Sequence, residues 1–198
     1  MSEPGERGLY QKTDGLDANK SGQRDDIDLS YWTVQPNRWT FQSRKIRRWV
    51  EQYLQGRVLN ACAGKTRLNH DQEIVRNDID EQRDADLHVD VCEIAEHLQT
   101  SSFDTVVYDP PFSAYQSNRA YDGQQVGDDA LAKQQFDDLL RCGGRVIQFG
   151  YTTSCMPMEL GYPRKAVAVF NTLGRMNDYL GVVDEHPGES DTEPRWFK

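Results

Sequence analysis

The feature that most limits how this chain can fold is a train of short apolar runs, alternating with helical or turn-like stretches from residue 57 to residue 184. Residues 57–61 (RVLNA), 73–77 (EIVRN), 87–91 (LHVDV), 103–108 (FDTVVY) and 145–150 (RVIQFG) are strand candidates. Between them lie a short helical stretch at 93–99 and a longer one at 128–141 that stops at Gly143-Gly144. Ahead of them, Phe41, Ile46, Trp49, Val50, Tyr53 and Leu54 recur at roughly helical spacing before Gln55-Gly56. Parallel strands need crossover segments that pack back onto the sheet, so this alternation predicts a parallel sheet covered on both faces. Residues 166–171 and 179–184 flank a turn with Gly174 and Asn177 and predict a closing antiparallel hairpin. The expected fold is therefore one α/β sandwich over residues 30–186, mostly parallel with an antiparallel C-terminal hairpin. Residues 1–29 and 187–198 are polar and aperiodic, and are expected to be tails.

Open sheets of this kind bind ligands beyond the carboxyl ends of their strands. The first four strand candidates end in, or run into, Asn60, Asp78, Asp90 and Asp109. The last is followed directly by Pro110-Pro111-Phe112. Two prolines lack N–H donors and fix φ, so they end a central strand and stiffen the turn after it. That turn aims the Asp109 carboxylate and the Pro110 carbonyl at one place, with Phe112 able to stack on a flat ligand. An exocyclic amine of adenine, cytosine or guanine is a poor nucleophile, because its lone pair is delocalised into the ring. Two acceptors gripping its N–H bonds favour a pyramidal nitrogen with the lone pair exposed. Such catalysis is positional and electrostatic and needs no strong base. The bland alternative is a turn in which Asp109 only caps a loop.

Asp109-Pro110-Pro111-Phe112 after the fourth strand resembles the Asp/Asn/Ser-Pro-Pro-aromatic motif of class I S-adenosylmethionine-dependent amino-methyltransferases. That family includes DNA adenine-N6 and cytosine-N4 enzymes and several RNA and protein amine methylases. The resemblance implies a Rossmann-like methyltransferase sandwich with S-adenosylmethionine as cofactor. Residues 58–64 (VLNACAG) are similar to the family's cofactor loop, which implies that Asn60, Ala61, Cys62, Ala63 and Gly64 approach the methionine part of the cofactor. Two departures stand out: Asn60 occupies the usual acidic position, and Lys65-Thr66 stand where further small residues are common. The family pattern also implies that Asp78, with Asp80 as competitor, holds the ribose hydroxyls. Asp90, with Val91, would meet the adenine, and Asp109 would border the cofactor as well as the target amine. The order of cofactor loop and diproline motif is that of a linear family member, in which the preceding segment, here Trp39-Thr40-Phe41, contributes to the pocket. A phosphate-loop reading of Gly64-Lys65-Thr66 is a weak rival, because that motif needs glycine where Leu59 stands. The implied substrate is a nucleic-acid base, with adenine N6 of DNA ahead of RNA bases. A methyltransferase-like protein that binds without catalysis is the other class to separate.

A net charge of −9 argues at first against a polyanionic partner. The kind of charge qualifies this: Asp outnumbers Glu by 21 to 11 and Arg outnumbers Lys by 16 to 7. That balance is similar to proteins of salt-loving archaea and their viruses, where dissolved salt screens the self-repulsion. Against the acidic background, Arg38, Arg44, Lys45, Arg47 and Arg48 with Trp39 and Trp49 form the densest basic stretch. It is either a phosphate contact or a solvated helix face. Residues 113–127, with Tyr115, Arg119 and Tyr121, read as a loop over the site or a plain connector. Cys62, Cys92, Cys142 and Cys155 lack metal-ligand spacing and are expected to be free buried thiols, with no metal implied. No apolar run suits a membrane span or a signal peptide, so a cytoplasmic location without membrane contact is expected.

Overall fold

The computed structural model describes residues 26–35, 37, 39–111, 128–174 and 177–188. Phe112, Arg38, the expected loop at 113–127 and most of both expected tails lie outside the described residues. Seven strands form one sheet: β1 (Asp28–Thr33), β2 (Val58–Asn60), β3 (Ile74–Arg76), β4 (Phe103–Tyr108), β5 (Leu140–Gly150), β6 (Arg164–Asn171) and β7 (Tyr179–Glu185). Their order across the sheet is β1-β6-β7-β5-β4-β2-β3. Every pairing is parallel except the two made by β7, which runs antiparallel between β5 and β6. The mostly parallel Rossmann-like sandwich with an antiparallel final hairpin is thus the observed architecture.

Three expectations are corrected. Residues 87–91 do not form a strand; a single parallel bridge, Asn77 to Leu87, is all that pairs there. The reason is local. The Asn77 amide takes over the ladder, donating Nδ2 to the Val89 carbonyl (3.0 Å) and accepting from the Val89 N–H at Oδ1 (3.1 Å). The helical stretch at 93–99 shrinks to one 3-10 turn, Ile94–Glu96. The helix at 41–54 divides into a 3-10 turn, Thr40–Gln42, and α1 (Arg44–Glu51). Conversely, Asp28–Thr33 is a full edge strand, parallel to β6 and beginning two residues ahead of the boundary at 29/30.

Period-two alternation sorts the strand side chains onto two faces. Leu59, Val106, Tyr108 and Val146 face a cluster closed by α2 (Asp129–Leu139) through Ala132, Phe136 and Leu139. Asp128 caps α2, its Oδ1 accepting from the N–H groups of Ala130 (2.9 Å) and Leu131 (3.2 Å). On the opposite face Val58, Val107, Ile147 and Phe149 meet Phe41 and the Ile46, Trp49 and Val50 stripe of α1. Trp49 stands edge-on to Phe170 (5.5 Å) and Phe149 (5.9 Å). Its ring lies where a side chain on Gly181 of β7 would go: a Cβ there would come within 2.5 Å of it. Only Gly lets α1 sit this close to the sheet. Gly181→Ala is expected to cost about 1–3 kcal/mol, the usual range for overpacking a filled core. Chemical denaturation with unchanged m-value measures it.

Candidate active site

At the carboxyl edge of β2, β3 and β4 the chain builds its site around the 61–66 loop. Three consecutive residues leaving β3 hold that loop from one side. Arg76, 6% exposed, extends its guanidinium to the carbonyls of Thr66 (Nη1, 2.9 Å), Gly64 (Nη2, 3.1 Å) and Asp84 (Nε, 2.9 Å). Burial lowers its pKa, and the nearby Arg67 adds to that. Asn77 Nδ2 donates to the Ala61 carbonyl (3.1 Å), while its own carbonyl accepts from Ala63 N–H (2.8 Å). Asp78 Oδ2 accepts from Gly64 N–H (2.7 Å), and its Oδ1 accepts from Asp80 N–H (3.1 Å). Gly64 takes φ +56°, in the left-handed region that Gly reaches without strain. Ala61 and Ala63 of this loop are buried, each with only a methyl side chain to accommodate.

Asn60 ends β2 fully buried, and neither Oδ1 nor Nδ2 has a hydrogen-bond partner. An amide in that state costs roughly 1–3 kcal/mol unless something serves it. It is paired in register with Val107 on β4 and points to the same face as Val58, the side of Phe41 and α1. Two residues beyond Val107 stands Asp109, only partly exposed. Burial pushes its carboxyl up to about 7, and a hydrogen bond from the Thr40 side chain pulls it partly back. Tyr179 of β7 lies within electrostatic reach: burial raises its phenol and the Asp109 charge raises it further. Cys62 registers the convergence of the whole site. Burial pushes its thiol up, and the charges of Asp78, Asp109 and Asp90, in that order, push in the same direction.

The structure thus brings Asn60, Cys62, Gly64, Asp78, Asp90 and Asp109 to one edge of the sheet. Pro110 and Pro111 follow Asp109 partly exposed, and Phe112 lies outside the described residues. Val91 is 5% exposed and packs in the α2-side core. Asp90 folds back on the chain, its Oδ1 accepting from Cys92 N–H (2.9 Å) and its carboxyl also meeting the Cys92 thiol. Asp80 is occupied by Arg83 (2.7 Å) and by the Gln82 N–H (2.9 Å). Trp39 closes the loop from outside. Its ring lies 3.6 Å from where a Gly64 Cβ would be, with Arg83 Cζ 5.3 Å and Lys65 Nζ 6.0 Å from the ring centroid. Of the four cysteines, only Cys155 is buried; Cys142 is exposed and Cys62 and Cys92 lie between, all unpaired. Among the described residues no group of His, Cys, Asp and Glu suits a metal ion. No helix among them is long and apolar enough to cross a membrane.

Sequence reasoning missed Arg76, Asn77 and Tyr179. The first two read as the tail of a strand, and nothing in EIVRN signals that their side chains turn back onto a loop ten or more residues earlier. Tyr179 is 70 positions from Asp109, beyond the reach of any local pattern.

No family model and no curated protein sequence matches the chain. Among solved structures it is similar to a 1,6-didemethyltoxoflavin-N1-methyltransferase of Burkholderia thailandensis with bound 1,6-didemethyltoxoflavin and S-adenosylhomocysteine. The overlap covers 66% of this chain and 71% of that one, at 15% identity and a TM-score of 0.46. TrmN of Thermus thermophilus overlaps 66% of this chain but 43% of its own, at 16% identity and a TM-score of 0.45. A SAM-dependent methyltransferase of Archaeoglobus fulgidus overlaps 71% and 91%, at 13% identity and a TM-score of 0.45. At these scores the likeness carries no argument about activity.

Two consequences of the geometry are measurable. Arg76→Met removes the donor from three carbonyls at once, so a loss of about 2–4 kcal/mol is expected, with faster amide exchange confined first to residues 61–66. Asp109 binds its proton more tightly folded than unfolded, so its contribution to stability falls as pH rises from about 4 through about 7. Asp109→Asn cannot ionise; its stability relative to wild type should improve by about 1–3 kcal/mol between pH 5 and pH 8.5, read from paired unfolding curves.

Proposed function

We propose that this protein is an S-adenosylmethionine-dependent methyltransferase acting on an exocyclic amine of a nucleic-acid base, with adenine N6 in DNA as the first substrate and RNA base amines as the second. The observation that carries the reading is the convergence of Asp109, at a diproline corner, with Asn60, Asp78 and Asp90 around Cys62 at the ends of three neighbouring strands. Substrate class rests on the chemistry of that corner and on its resemblance to the amino-methyltransferase motif.

The residues fit the cofactor on their own terms. Asn60 has an amide donor and an acceptor without partners, which suits the charged amino-acid end of such a molecule. Gly64 supplies a backbone that a ligand can approach closely. Each Asp78 oxygen accepts from one backbone N–H, which fixes the carboxylate against the loop and leaves it lone pairs, so Asp78 and Asp90 are the acceptors for hydroxyl or amine hydrogens. When bound, S-adenosylmethionine supplies an electrophilic sulfonium methyl. Asp109 and the Pro110 carbonyl accept the two N–H bonds of the target amine and orient its lone pair. The Thr40 hydrogen bond keeps the Asp109 carboxyl in one orientation. A carboxylate is a stronger acceptor than a carboxylic acid, so the raised Asp109 pKa places the more active form above about pH 7.

Labelled cofactor offered with DNA and with RNA in molar salt, followed by mass spectrometry of the nucleosides, tests the reading. Label is expected on an exocyclic amine, with a rate that rises through an apparent pKa near 7. Asp109→Ala should lose about 100-fold or more in kcat while cofactor affinity stays within a few-fold. Cofactor affinity without transfer to either nucleic acid would select the binding-protein alternative, and label on a ring carbon would overturn the amine assignment.

A further inference from the structure

We infer that the cleft between the end of β1 and the N-terminus of α1 is a backbone-phosphate site for the strand whose base reaches Asp109. This rests on the proposed nucleic-acid substrate and adds to it where the strand is held. The cleft has a volume of about 360 Å³ and is lined by Gln35, Asn37, Gln42, Ser43, Arg44 and Lys45 among others.

Three observations point to an anion there. First, α1 opens with Arg44 and Lys45, has no acid in its first turn, and carries Arg47 and Arg48 directly after. Cations beside the positive end of a helix are repelled by its dipole, whereas an anion is attracted by both at once. Second, Ser43 sits at the N-cap with extended backbone angles yet makes no capping bond to the first turn. Only 8% of it is exposed, it lines the cleft, and its hydroxyl has no hydrogen-bond partner among the described residues. A hydroxyl at a helix N-cap normally serves that helix; this one does not, and is left for a ligand together with the first-turn N–H groups. Third, the chain has 32 carboxylates against 23 cationic side chains. Even so, Arg44, Arg47 and Arg48 form no ion pair with any described residue, and Lys45 spends one donor on the Thr33 carbonyl (2.6 Å). An acidic chain that leaves its densest cations unneutralised has placed them for a partner of opposite charge.

The position suits the proposed chemistry. Thr40 holds Asp109, and Ser43 follows three residues later across one 3-10 turn, a span of about 6 Å. A base at Asp109 and a phosphate at Ser43 and Arg44 therefore lie on one short path along the same segment.

The test uses the full chain and labelled single-stranded and duplex oligonucleotides, titrated over a range of salt. Arg44→Gln combined with Lys45→Gln should weaken oligonucleotide binding about 10-fold or more and reduce the slope of log K against log salt by about 1–2. Ser43→Ala, which disturbs no hydrogen bond of the fold, should weaken it in the same direction. S-adenosylhomocysteine affinity should be unchanged in all variants. Wild-type affinity and salt slope in the double variant, with base methylation intact, would overturn the phosphate site and leave the enzyme reading standing. Binding of inorganic phosphate without binding of either nucleic acid would overturn the strand assignment. Wild-type protein that binds neither, yet methylates a small amine, would overturn both the site and the nucleic-acid substrate.

Discussion

Three side chains in sequence, Arg76, Asn77 and Asp78, carry the carboxyl edge of this sheet. β2 and β3 are only three residues long, too short for backbone pairing alone to define the loop that follows β2. The guanidinium, amide and carboxylate leaving β3 supply the missing bonds. Within residues 61–66 the first takes two carbonyls, the second one carbonyl and the third one N–H. Because Arg76 is buried and all three of its donor nitrogens are engaged, the loop has a single arrangement that leaves none of these groups unpaired. The left-handed Gly64 and the position of Asp90, tethered through Asn77 and Val89, follow from that arrangement.

The second constraint is the segment ahead of β2. β1 joins the far edge of the sheet beside β6, so the chain must return across the carboxyl ends of the strands to reach β2. On that return it lays Trp39 over Gly64 and brings Thr40 to Asp109 before α1 packs on the sheet. An edge strand with little core of its own thereby positions two residues of the site. The same return leaves the basic N-terminus of α1 beside the cleft that follows β1, so a positive patch adjoins the carboxyl that burial raises. Burial of Asp109 and exposure of Arg44 and Arg48 are opposite outcomes of a single chain path.

Much of the fold was legible in the residues. Runs such as FDTVVY and RVIQFG are apolar on both faces, as a central strand covered on both sides needs. The diproline after β4 marked a strand end, since no strand can continue through it. LHVDV misled because its alternation is that of a half-buried strand, while the Asn77 side chain had already taken the backbone groups of Val89. The roles within the site were less legible. Asp78 also accepts from the N–H groups of Gly64 and Asp80, contacts that depend on where those two residues fall in space.

The residues by themselves determined the α/β class, the antiparallel close and the strand ends that carry Asn60, Asp78 and Asp109, because periodicity, glycine and proline act over a few positions. Tertiary structure alone decided which backbone groups each of those acids meets, and that Thr40 and Tyr179 attend Asp109. Hydrogen bonds and desolvation depend on what lies within a few ångströms, and the fold draws those neighbours from as far as 70 residues along the chain.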